Sequence, residues 1–354
     1  MWASGAFGYP LDYFLWWVVL ASLILHTWCF FKFFPRDRLR RFRLVAGNVL
    51  MTLCLLGAAG VIAETYFRFL VVETDSYGVS LVSKRWFKLY PKLNSLYFRD
   101  KEWAEVKPAS VRRIAFVGDS FTYGWGINNV EDRFTEILQR RFDEKGGKAA
   151  EVMNAAWVGW DTEQERRAIH DLIEFYHVDE VVLCYVPNDI DTLLPVSDEV
   201  NPREPPKSRF INTESSFLFD YLFHRLWARR TPSVRSYCDW LADGYASPEI
   251  WNRQTRILDD LIRFCRDRDV TLRAALLPFL RVWGERFDAG RIHRQLAEFF
   301  TARGVPVVDL LPTLAGHDPT ALMVNDYDPH PNELANRLFA EAMWKTFWMD
   351  SPGP

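Results

Sequence analysis

The chain has 354 residues, and its 43 Lys and Arg residues nearly balance its 46 Asp and Glu residues, for a net charge of −3. This balance excludes the strongly basic surface that nucleic-acid-binding proteins usually carry. Hydrophobic residues make up 49% and charged residues 25% of the chain, which excludes a disordered or fibrous protein.

Two long uncharged segments lie near the N-terminus, at 13–31 and 44–63. Each has about the 20 residues that a helix needs to cross the hydrocarbon of a bilayer. The loop between them holds five arginines within residues 36–43, and such loops stay on the cytoplasmic side. We therefore predict a two-span transmembrane hairpin over residues 1–72, with both ends outside the cytoplasm. A signal peptide would need a basic start, which the sequence lacks, and a buried helical hairpin would not carry arginines at its tip.

A short segment that we interpret as a linker, residues 73–111, leads to a region where apolar segments alternate with helical patterns. Nearly continuous apolar strands are typical of parallel sheets that are buried on both faces. We predict strands at 112–118, 149–156, 180–186, 270–277 and 305–310, and helices at 131–144, 162–176, 248–268, 290–303 and 331–348. The alternation predicts an α/β domain over residues 112–354, a doubly wound, flavodoxin-like sheet of five parallel strands with helices on both faces.

One stretch, residues 195–247, is too long for a plain crossover between strands. It is rich in proline and charge at 201–207 and becomes aromatic and amphipathic at 217–227. We interpret it as an insertion, either a lid beside the active site or a peripheral decoration.

Residues with chemical potential follow the ends of the predicted strands, where ligands bind in such sheets. Ser120 follows the first strand, Gly159 the second and Asn188 the third, and His330 lies near the end of the chain. A serine hydroxyl becomes a nucleophile when a histidine takes its proton and a carboxylate orients the imidazole. The backbone N–H groups of Ser120 and Gly159 and the amide of Asn188 are candidate donors to the oxyanion.

Each of these residues has an ordinary alternative role. Ser120 suits a helix N-cap, Asn188 suits a strand-end turn, and His330 suits the surface at a helix start. All of them in this order, each after its strand, favour an active site. We expect Asp119 to accept backbone hydrogen bonds around the serine turn.

This order of blocks resembles the SGNH (GDSL-type) hydrolase superfamily over residues 112–348. Gly118-Asp119-Ser120 is similar to the first block, and Gly159, Asn188 and His330 match the glycine, asparagine and histidine of the later ones. The resemblance implies that Ser120 is the nucleophile of a serine esterase.

Residues 94–100 are similar to the Asn-Ser-x-Gly-Phe-Arg-Asp segment of membrane-anchored bacterial members, with Tyr97 in place of the glycine. This similarity implies a two-pass protein of the bacterial inner membrane, with its catalytic domain in the periplasm.

The sequence departs from the family pattern at two places. Val186 stands where the third block usually has glycine, and the Asp-x-x-His spacing of the last block falls on Tyr327. Asp328 precedes His330 by two residues, a spacing similar to that of the alginate-acetylation branch, and Asp326 is the other candidate for the triad acid.

The prolines around His330 favour Asp328. Pro329 and Pro331 bias the chain toward an extended conformation, in which side chains two residues apart project from the same side. We also expect Pro331 to lie in the first turn of the final helix.

The predicted function is a membrane-anchored serine esterase that removes ester-linked acyl groups, such as O-acetyl groups of a cell-envelope polysaccharide. Aromatic residues make up 16% of the chain, and aromatic faces can stack on sugar rings, which is compatible with a carbohydrate substrate. Membrane-interface belts and core packing account for much of this aromatic excess. The alternatives are a polysaccharide O-acetyltransferase with the same acyl-enzyme, and a non-catalytic subunit that binds glycan or a membrane partner. Protein partners are not indicated.

No cofactor or metal is expected, because neither Cys-x-x-Cys nor His-x-x-x-His spacing occurs. Cys238 and Cys265 can pair in an oxidising compartment or stay free. The remaining histidines lack a matched acid in the sequence pattern; they are His170, His177, His224, His293 and His317.

Overall fold

A computed structural model describes residues 10–34, 40–146, 150–197, 201–205, 207, 215–227, 230–282 and 284–349. The α-helices are, in chain order, α1 (Pro10–Phe33), α2 (Arg40–Phe69), α3 (Leu81–Leu89), α4 (Ser120–Tyr123), α5 (Phe134–Lys145), α6 (Thr162–Tyr176), α7 (Phe217–Leu226), α8 (Pro232–Ala246), α9 (Pro248–Asp267), α10 (Ala289–Thr301) and α11 (Glu333–Phe347). The strands are β1 (Arg112–Gly118), β2 (Ala150–Ala156), β3 (Glu180–Tyr185), β4 (Thr271–Leu276), β5 (Val307–Asp309), β6 (Met323–Asn325) and β7 (Asp328–Pro331).

Strands β1 to β5 form one parallel sheet in the order β2-β1-β3-β4-β5. This is the flavodoxin-like order, so the predicted fold is confirmed. All carboxyl ends lie at one edge, and the loops that follow β1, β2 and β3 therefore meet there.

Successive side chains of each strand point to opposite faces of the sheet, and each face has its own core. One core contains strand residues such as Ala115, Val117 and Leu183 and is covered by α6, α9 and α10. The other contains Phe116 and Val182 and is covered by α5 and α11. Burial of one such Leu, Val or Phe side chain stabilises the fold by about 1.5–3 kcal/mol, so both layers hold the sheet rigid beneath the site.

The last helix begins later than predicted. Pro331 ends β7, where it pairs with Met323 of β6 in a short antiparallel hairpin. Asn332 then caps α11, accepting hydrogen bonds from the N–H groups of Leu334 and Ala335 at 3.0 and 3.1 Å. The prediction that Pro331 lies in the first turn of the helix was wrong, because the hairpin holds it in an extended conformation.

The chain forms two compact units, one of Met1–Leu89 with Pro206–Arg230 and one of Tyr90–Pro205 with Thr231–Pro354. The predicted linker, residues 73–111, and the predicted insertion, residues 195–247, are each divided between the two units. All five cysteines are free, including Cys238 and Cys265, which are both buried.

In the first unit, α1 and α2 contain the two predicted spans. Both helices are long and apolar enough to cross a membrane, by length and composition. The arginine-rich loop lies partly outside the described residues, at 35–39, and its remaining arginines already belong to the first turn of α2.

The same unit joins α2 to α7 through a buried carboxylate. Glu64 is fully buried and accepts hydrogen bonds from Ser216 Oγ at 2.7 Å and from the N–H groups of Phe217 and Leu218 at 3.1 and 3.0 Å. Arg68, one turn along α2, donates to the same carboxylate at 2.8 Å. A carboxylate at a helix N-terminus satisfies otherwise unpaired N–H groups, so Glu64 fixes the start of α7.

Candidate active site

The turn between β1 and α4 presents a serine at the carboxyl edge of the sheet. β1 ends at Gly118, and α4 begins at Ser120. Asp119 caps this helix, with its Oδ1 accepting from the N–H of Phe121 at 2.9 Å. Asp119 thus holds the turn through backbone hydrogen bonding, as expected from the sequence, and Ser120 projects from it with 7% of its surface exposed.

His330 lies directly beside this serine, although 210 residues separate them. The Oγ of Ser120 and the Nε2 of His330 are 2.7 Å apart, within hydrogen-bond distance. The Nδ1 of His330 is hydrogen-bonded to the Oδ1 of Asp328, which is fully buried. Both residues belong to the extended strand β7, so the two-residue spacing brings the carboxylate to the histidine.

The second candidate acid lies elsewhere. The side chain of Asp326 is 72% exposed, and its Oδ1 is 4.0 Å from the guanidinium of Arg281. The imidazole of His330 therefore meets Asp328 in the structure.

Asn188 is the second residue of the 3-10 helix Pro187–Leu193, which follows β3. Its Nδ2 donates to the Oδ2 of Asp119 at 3.0 Å, which brings the amide next to the serine turn. A side-chain amide has two hydrogens, and no other described residue accepts from this one. One hydrogen of Asn188 is therefore available to a bound group.

Gly159 lies in the exposed turn after β2. Its φ is +74°, a conformation that glycine adopts at little cost and other residues adopt rarely. The turn is attached to the serine strand, because the N–H of Trp157 donates to the carbonyl of Gly118 at 3.2 Å. Thus the turn carrying Gly159 starts beside the end of β1.

Three buried carboxyl groups lie beneath the site. Burial raises the pKa of Asp119, and the hydrogen bonds from Asn188 and Phe121 oppose this shift. Burial also raises the pKa of Glu165 well above its usual range, and the neighbouring charge of Asp119 adds to the effect. Burial also raises the pKa of Asp189 well above its usual range, and the charge of Glu165 adds to the effect. Burial and mutual repulsion therefore both favour the protonated forms of Glu165 and Asp189.

Sequence comparison identifies the family to which this site belongs. The model of the GDSL-like lipase/acylhydrolase family matches residues 116–338, which is more than half of the chain. The chain belongs to this family. It is therefore a serine esterase of the SGNH type, and the matched range includes Ser120, Gly159, Asn188 and His330. No curated protein sequence matches the chain.

Several solved structures are similar to this one at low sequence identity. TesA is 14% identical, with 67% of this chain and 98% of that one covered and a TM-score of 0.44. The esterase EstA from Pseudoalteromonas is 15% identical over 68% of this chain and 100% of that one, with a TM-score of 0.42. The acetyl xylan esterase AlAXEase is 15% identical over 66% and 99% of the two chains, with a TM-score of 0.40.

In this GDSL-family enzyme, the segment before β1 is hydrogen-bonded to the loop that follows α4, the short helix that begins at Ser120. Arg99 is almost fully buried and donates to the carbonyls of Gly124 and Ile127, both at 2.7 Å. Its own carbonyl accepts from Arg133 at 2.6 Å. Burial, and then the charge of Arg133, lower the pKa of Arg99 to about 10. The motif at 94–100 marked this segment, but only the structure shows what Arg99 holds.

A second histidine has an acid partner that the sequence pattern did not indicate. The Nδ1 of His293 lies 2.6 Å from the Oδ1 of Asp309, and His293 is 1% exposed. The prediction that His293 lacks a matched acid was wrong, because its partner lies 16 residues away on another element. Among the described residues, no three His, Cys, Asp or Glu side chains are grouped so that they can hold a metal ion.

Proposed function

We propose that the protein is a membrane-anchored esterase that releases short acyl groups through a Ser120–His330–Asp328 triad. The observation that carries the proposal is the 2.7 Å contact between Ser120 Oγ and His330 Nε2, with Asp328 at the opposite nitrogen. A hydroxyl, an imidazole and a carboxylate in this order are the parts that serine-based acyl transfer needs.

The reaction proceeds through an acyl-enzyme. His330 takes the proton of Ser120 as the oxygen attacks the ester carbonyl, and Asp328 stabilises the imidazolium that forms. His330 then gives the proton to the departing alkoxide, which leaves as an alcohol. Water then attacks the carbonyl of the acyl-enzyme and loses a proton to His330. The bond to the Oγ of Ser120 breaks, His330 returns the proton to this oxygen, and the acid is released.

The negative oxygen of each tetrahedral intermediate needs donors that are already in place. We assign this role to the N–H groups of Ser120 and Gly159 and to the free hydrogen of the Asn188 amide. Asn188 is supported best, because its other hydrogen is fixed on Asp119 at 3.0 Å.

The surroundings of His330 favour a small acyl group. The rings of Phe121 and Trp125 lie 5.1 and 6.3 Å from the imidazole ring and are 7% and 5% exposed. We propose that these buried rings limit the acyl group that can be bound beside the nucleophile to a small one. We therefore propose acetyl esters of a cell-envelope polysaccharide as the substrate class.

Labelling with a fluorophosphonate probe tests the nucleophile, because only an activated serine reacts readily with it. We expect the purified full-length protein to be labelled and to release acetate from p-nitrophenyl acetate, and we expect Ser120→Ala to lose both properties. Ser95→Ala removes an exposed serine hydroxyl and is the matched control. Labelling that persists in Ser120→Ala would overturn the assignment.

A second assay separates hydrolysis from acyl transfer. Acetylated xylooligosaccharides are supplied as acetyl donors together with an unacetylated glycan, and the products are followed by mass spectrometry. A hydrolase releases free acetate, whereas acetylation of the added glycan would identify an O-acetyltransferase.

The membrane topology is a separate part of the proposal. We propose that α1 and α2 span the bacterial inner membrane, that residues 36–43 face the cytoplasm and that the esterase unit lies in the periplasm. Alkaline phosphatase fused to the C-terminus should be active, and the same reporter fused after residue 39 should be inactive. The reverse pattern would contradict this orientation.

A further inference from the structure

The two carbonyl groups on either side of Asn188 are both held by side chains from other elements. The hydroxyl of Tyr245, on α8, donates to the carbonyl of Pro187 at 3.0 Å. The hydroxyl of Thr162, at the start of α6, donates to the carbonyl of Asp189 at 3.1 Å. The peptide group before Asn188 and the one after Asp189 are therefore held by side chains other than that of Asn188.

Both hydroxyls are connected to a single amide, that of Gln254 on α9. Its Nε2 is 2.6 Å from the Oγ1 of Thr162 and 3.0 Å from the hydroxyl of Tyr185. The hydroxyl of Tyr185 is in turn 2.9 Å from that of Tyr245. Gln254 is thus the common origin of two hydrogen-bonded branches.

The chemistry of the end points fixes the direction of every bond. A carbonyl oxygen only accepts hydrogen bonds, so the hydroxyl groups of Thr162 and Tyr245 each donate their single hydrogen to a carbonyl. The hydroxyl of Tyr185 must then donate to Tyr245, and Gln254 must donate one hydrogen to Thr162 and one to Tyr185. Every hydroxyl in the network has one donor and one acceptor role filled.

The network is sealed from water. Thr162, Tyr185, Tyr245 and Gln254 are between 0% and 2% exposed. A buried carbonyl that loses a side-chain donor cannot turn to solvent to replace it, so its peptide group shifts or keeps fewer hydrogen bonds. Removal of either hydroxyl therefore acts directly on the backbone around Asn188.

We propose that Thr162 and Tyr245 are positioning residues for the oxyanion donor Asn188. The inference rests on the proposed function, since it takes the Asn188 amide as a donor to the tetrahedral intermediate. Such a donor must lie about 2.7–3.1 Å from the position that the oxyanion takes, so a small displacement of the turn lowers the rate. The helix α8, which lies in the predicted insertion, thereby contributes to the active site without contact with the reacting atoms.

The test combines the hydroxyl deletions Tyr245→Phe and Thr162→Val with Asn188→Ala, using p-nitrophenyl acetate as substrate. In the wild-type background, each deletion should lower kcat by about 5- to 100-fold and leave KM within about twofold, because the transition state is affected more than the bound ester. In the Asn188→Ala background, the same deletions should cause no further loss of kcat, because the donor that they position is absent. An equal loss in both backgrounds, or an effect confined to KM, would overturn the proposal.

Two further variants separate positioning from general destabilisation. Thr162→Ser keeps the hydroxyl and should retain at least half of the wild-type kcat, although it removes a methyl group. Tyr176→Phe removes a hydroxyl at the other end of α6 and should leave kcat unchanged. A Thr162→Ser enzyme as slow as Thr162→Val would indicate that packing, not the hydrogen bond, is responsible.

Hydrogen–deuterium exchange measures how firmly the backbone around Asn188 is held, and it does not depend on an activity assay. The peptide covering residues 186–193 should exchange at least threefold faster in Tyr245→Phe and Thr162→Val than in the wild type, and at the wild-type rate in Tyr176→Phe. Unchanged exchange in both deletions would refute positioning even if the esterase assignment holds. Faster exchange in a protein without Ser120-dependent activity would instead leave positioning intact and refute the proposed function.

Discussion

The second unit contains two histidine–aspartate pairs, each with a buried histidine, that differ in what the Nε2 atom of the imidazole meets. In both pairs, Nδ1 is hydrogen-bonded to an aspartate Oδ1: Asp328 for His330 and Asp309 for His293. The Nε2 of His330 meets Ser120 at 2.7 Å, whereas the Nε2 of His293 is buried and has no partner among the described residues. A carboxylate can orient an imidazole anywhere in a fold; only a hydroxyl at the other nitrogen makes the pair a base for a nucleophile.

The two pairs also differ in the elements that carry them. Asp328 and His330 share the strand β7, so their geometry is local and does not depend on packing between elements. His293 lies on α10 and Asp309 ends β5, so their hydrogen bond joins a helix to the sheet. The first arrangement suits a precise site, and the second suits a structural tie.

Parallel substitutions in the two pairs should give the largest contrast. Asp328→Asn should lower kcat by about 10⁴-fold, because an asparagine favours the wrong tautomer of His330. Asp309→Asn should leave kcat within about twofold and lower the free energy of unfolding by about 1 kcal/mol, the usual worth of one hydrogen bond. Steady-state kinetics and denaturant unfolding of the same preparations check both values. Loss of activity in Asp309→Asn at unchanged stability would show that the second pair also serves the chemistry.

Removal of the side-chain amide of Asn188, the proposed oxyanion donor, should have the next largest effect on kcat. Asn188→Ala should lower kcat by about 10²–10³-fold, since one oxyanion donor contributes about 3–4 kcal/mol to transition-state stabilisation. KM should change far less, and the protein should remain folded, as thermal unfolding can check. Full turnover in Asn188→Ala would show that this amide is only a turn residue on Asp119.

The pH dependence of stability distinguishes the partly buried, hydrogen-bonded Asp309 from the fully buried Glu165, whose carboxyl oxygens have no hydrogen-bond partner among the described residues. Burial tends to raise the pKa of Asp309, but hydrogen bonds from His293 and from the N–H of Leu311 outweigh it, and the pKa is lowered. Its contribution to stability is therefore present above the unfolded pKa and is lost as the pH falls through the folded pKa. Glu165 has the opposite sign, because its raised pKa makes the folded state hold a proton that the unfolded chain releases.

We therefore expect Glu165→Gln to stabilise the protein at high pH. In the wild type, stability falls by about 1.4 kcal/mol per pH unit between the unfolded pKa of Glu165, about 4.3, and its folded pKa. Gln mimics the protonated acid and removes this slope, so the variant should match the wild type at pH 4 and exceed it in stability at pH 8. Unfolding by denaturant at pH 4, 6 and 8 measures the difference. Equal stability of the two proteins at pH 8 would show that Glu165 is ionised at no cost in the native state.

The sheet could be predicted from sequence because its strands are continuous apolar segments with clear ends. α6 was predicted with its observed bounds, since Asp161 and Gln164 form a capping box at its start. β5 is shorter than predicted, with three residues instead of six, and it pairs only with β4. Tyr97 has φ +68°, a conformation that glycine adopts at little cost, and it stands at the glycine position of the segment that residues 94–100 resemble.

The members of the proposed triad could be predicted from the sequence because they lie in short motifs, but the residues that support Asn188 could not. Thr162, Tyr185, Tyr245 and Gln254 are spread over more than 90 residues, and they meet only because α6, α8 and α9 pack over one face of the sheet. No periodicity or motif marks a hydroxyl whose partner is a carbonyl on another element. Asp309, the acid partner of His293, could not be predicted from the sequence for the same reason.

Asp326→Asn should have the smallest effect on kcat. It tests whether the acid that orients His330 lies two residues before it, at Asp328, or four residues before it, at Asp326. Its carboxylate is 72% exposed and lies 4.0 Å from Arg281, an arrangement that contributes about 0–1 kcal/mol to stability. Since Asp328 already occupies the Nδ1 side of His330, removal of the charge at 326 should leave kcat within about twofold and keep the pH profile of activity unchanged. Kinetics from pH 5 to 9 on Asp326→Asn, beside Asp328→Asn, decide the point. If Asp326→Asn is crippled while Asp328→Asn turns over normally, a rearranged turn at Tyr327 supplies the acid, and His330 then uses a partner four residues away instead of two.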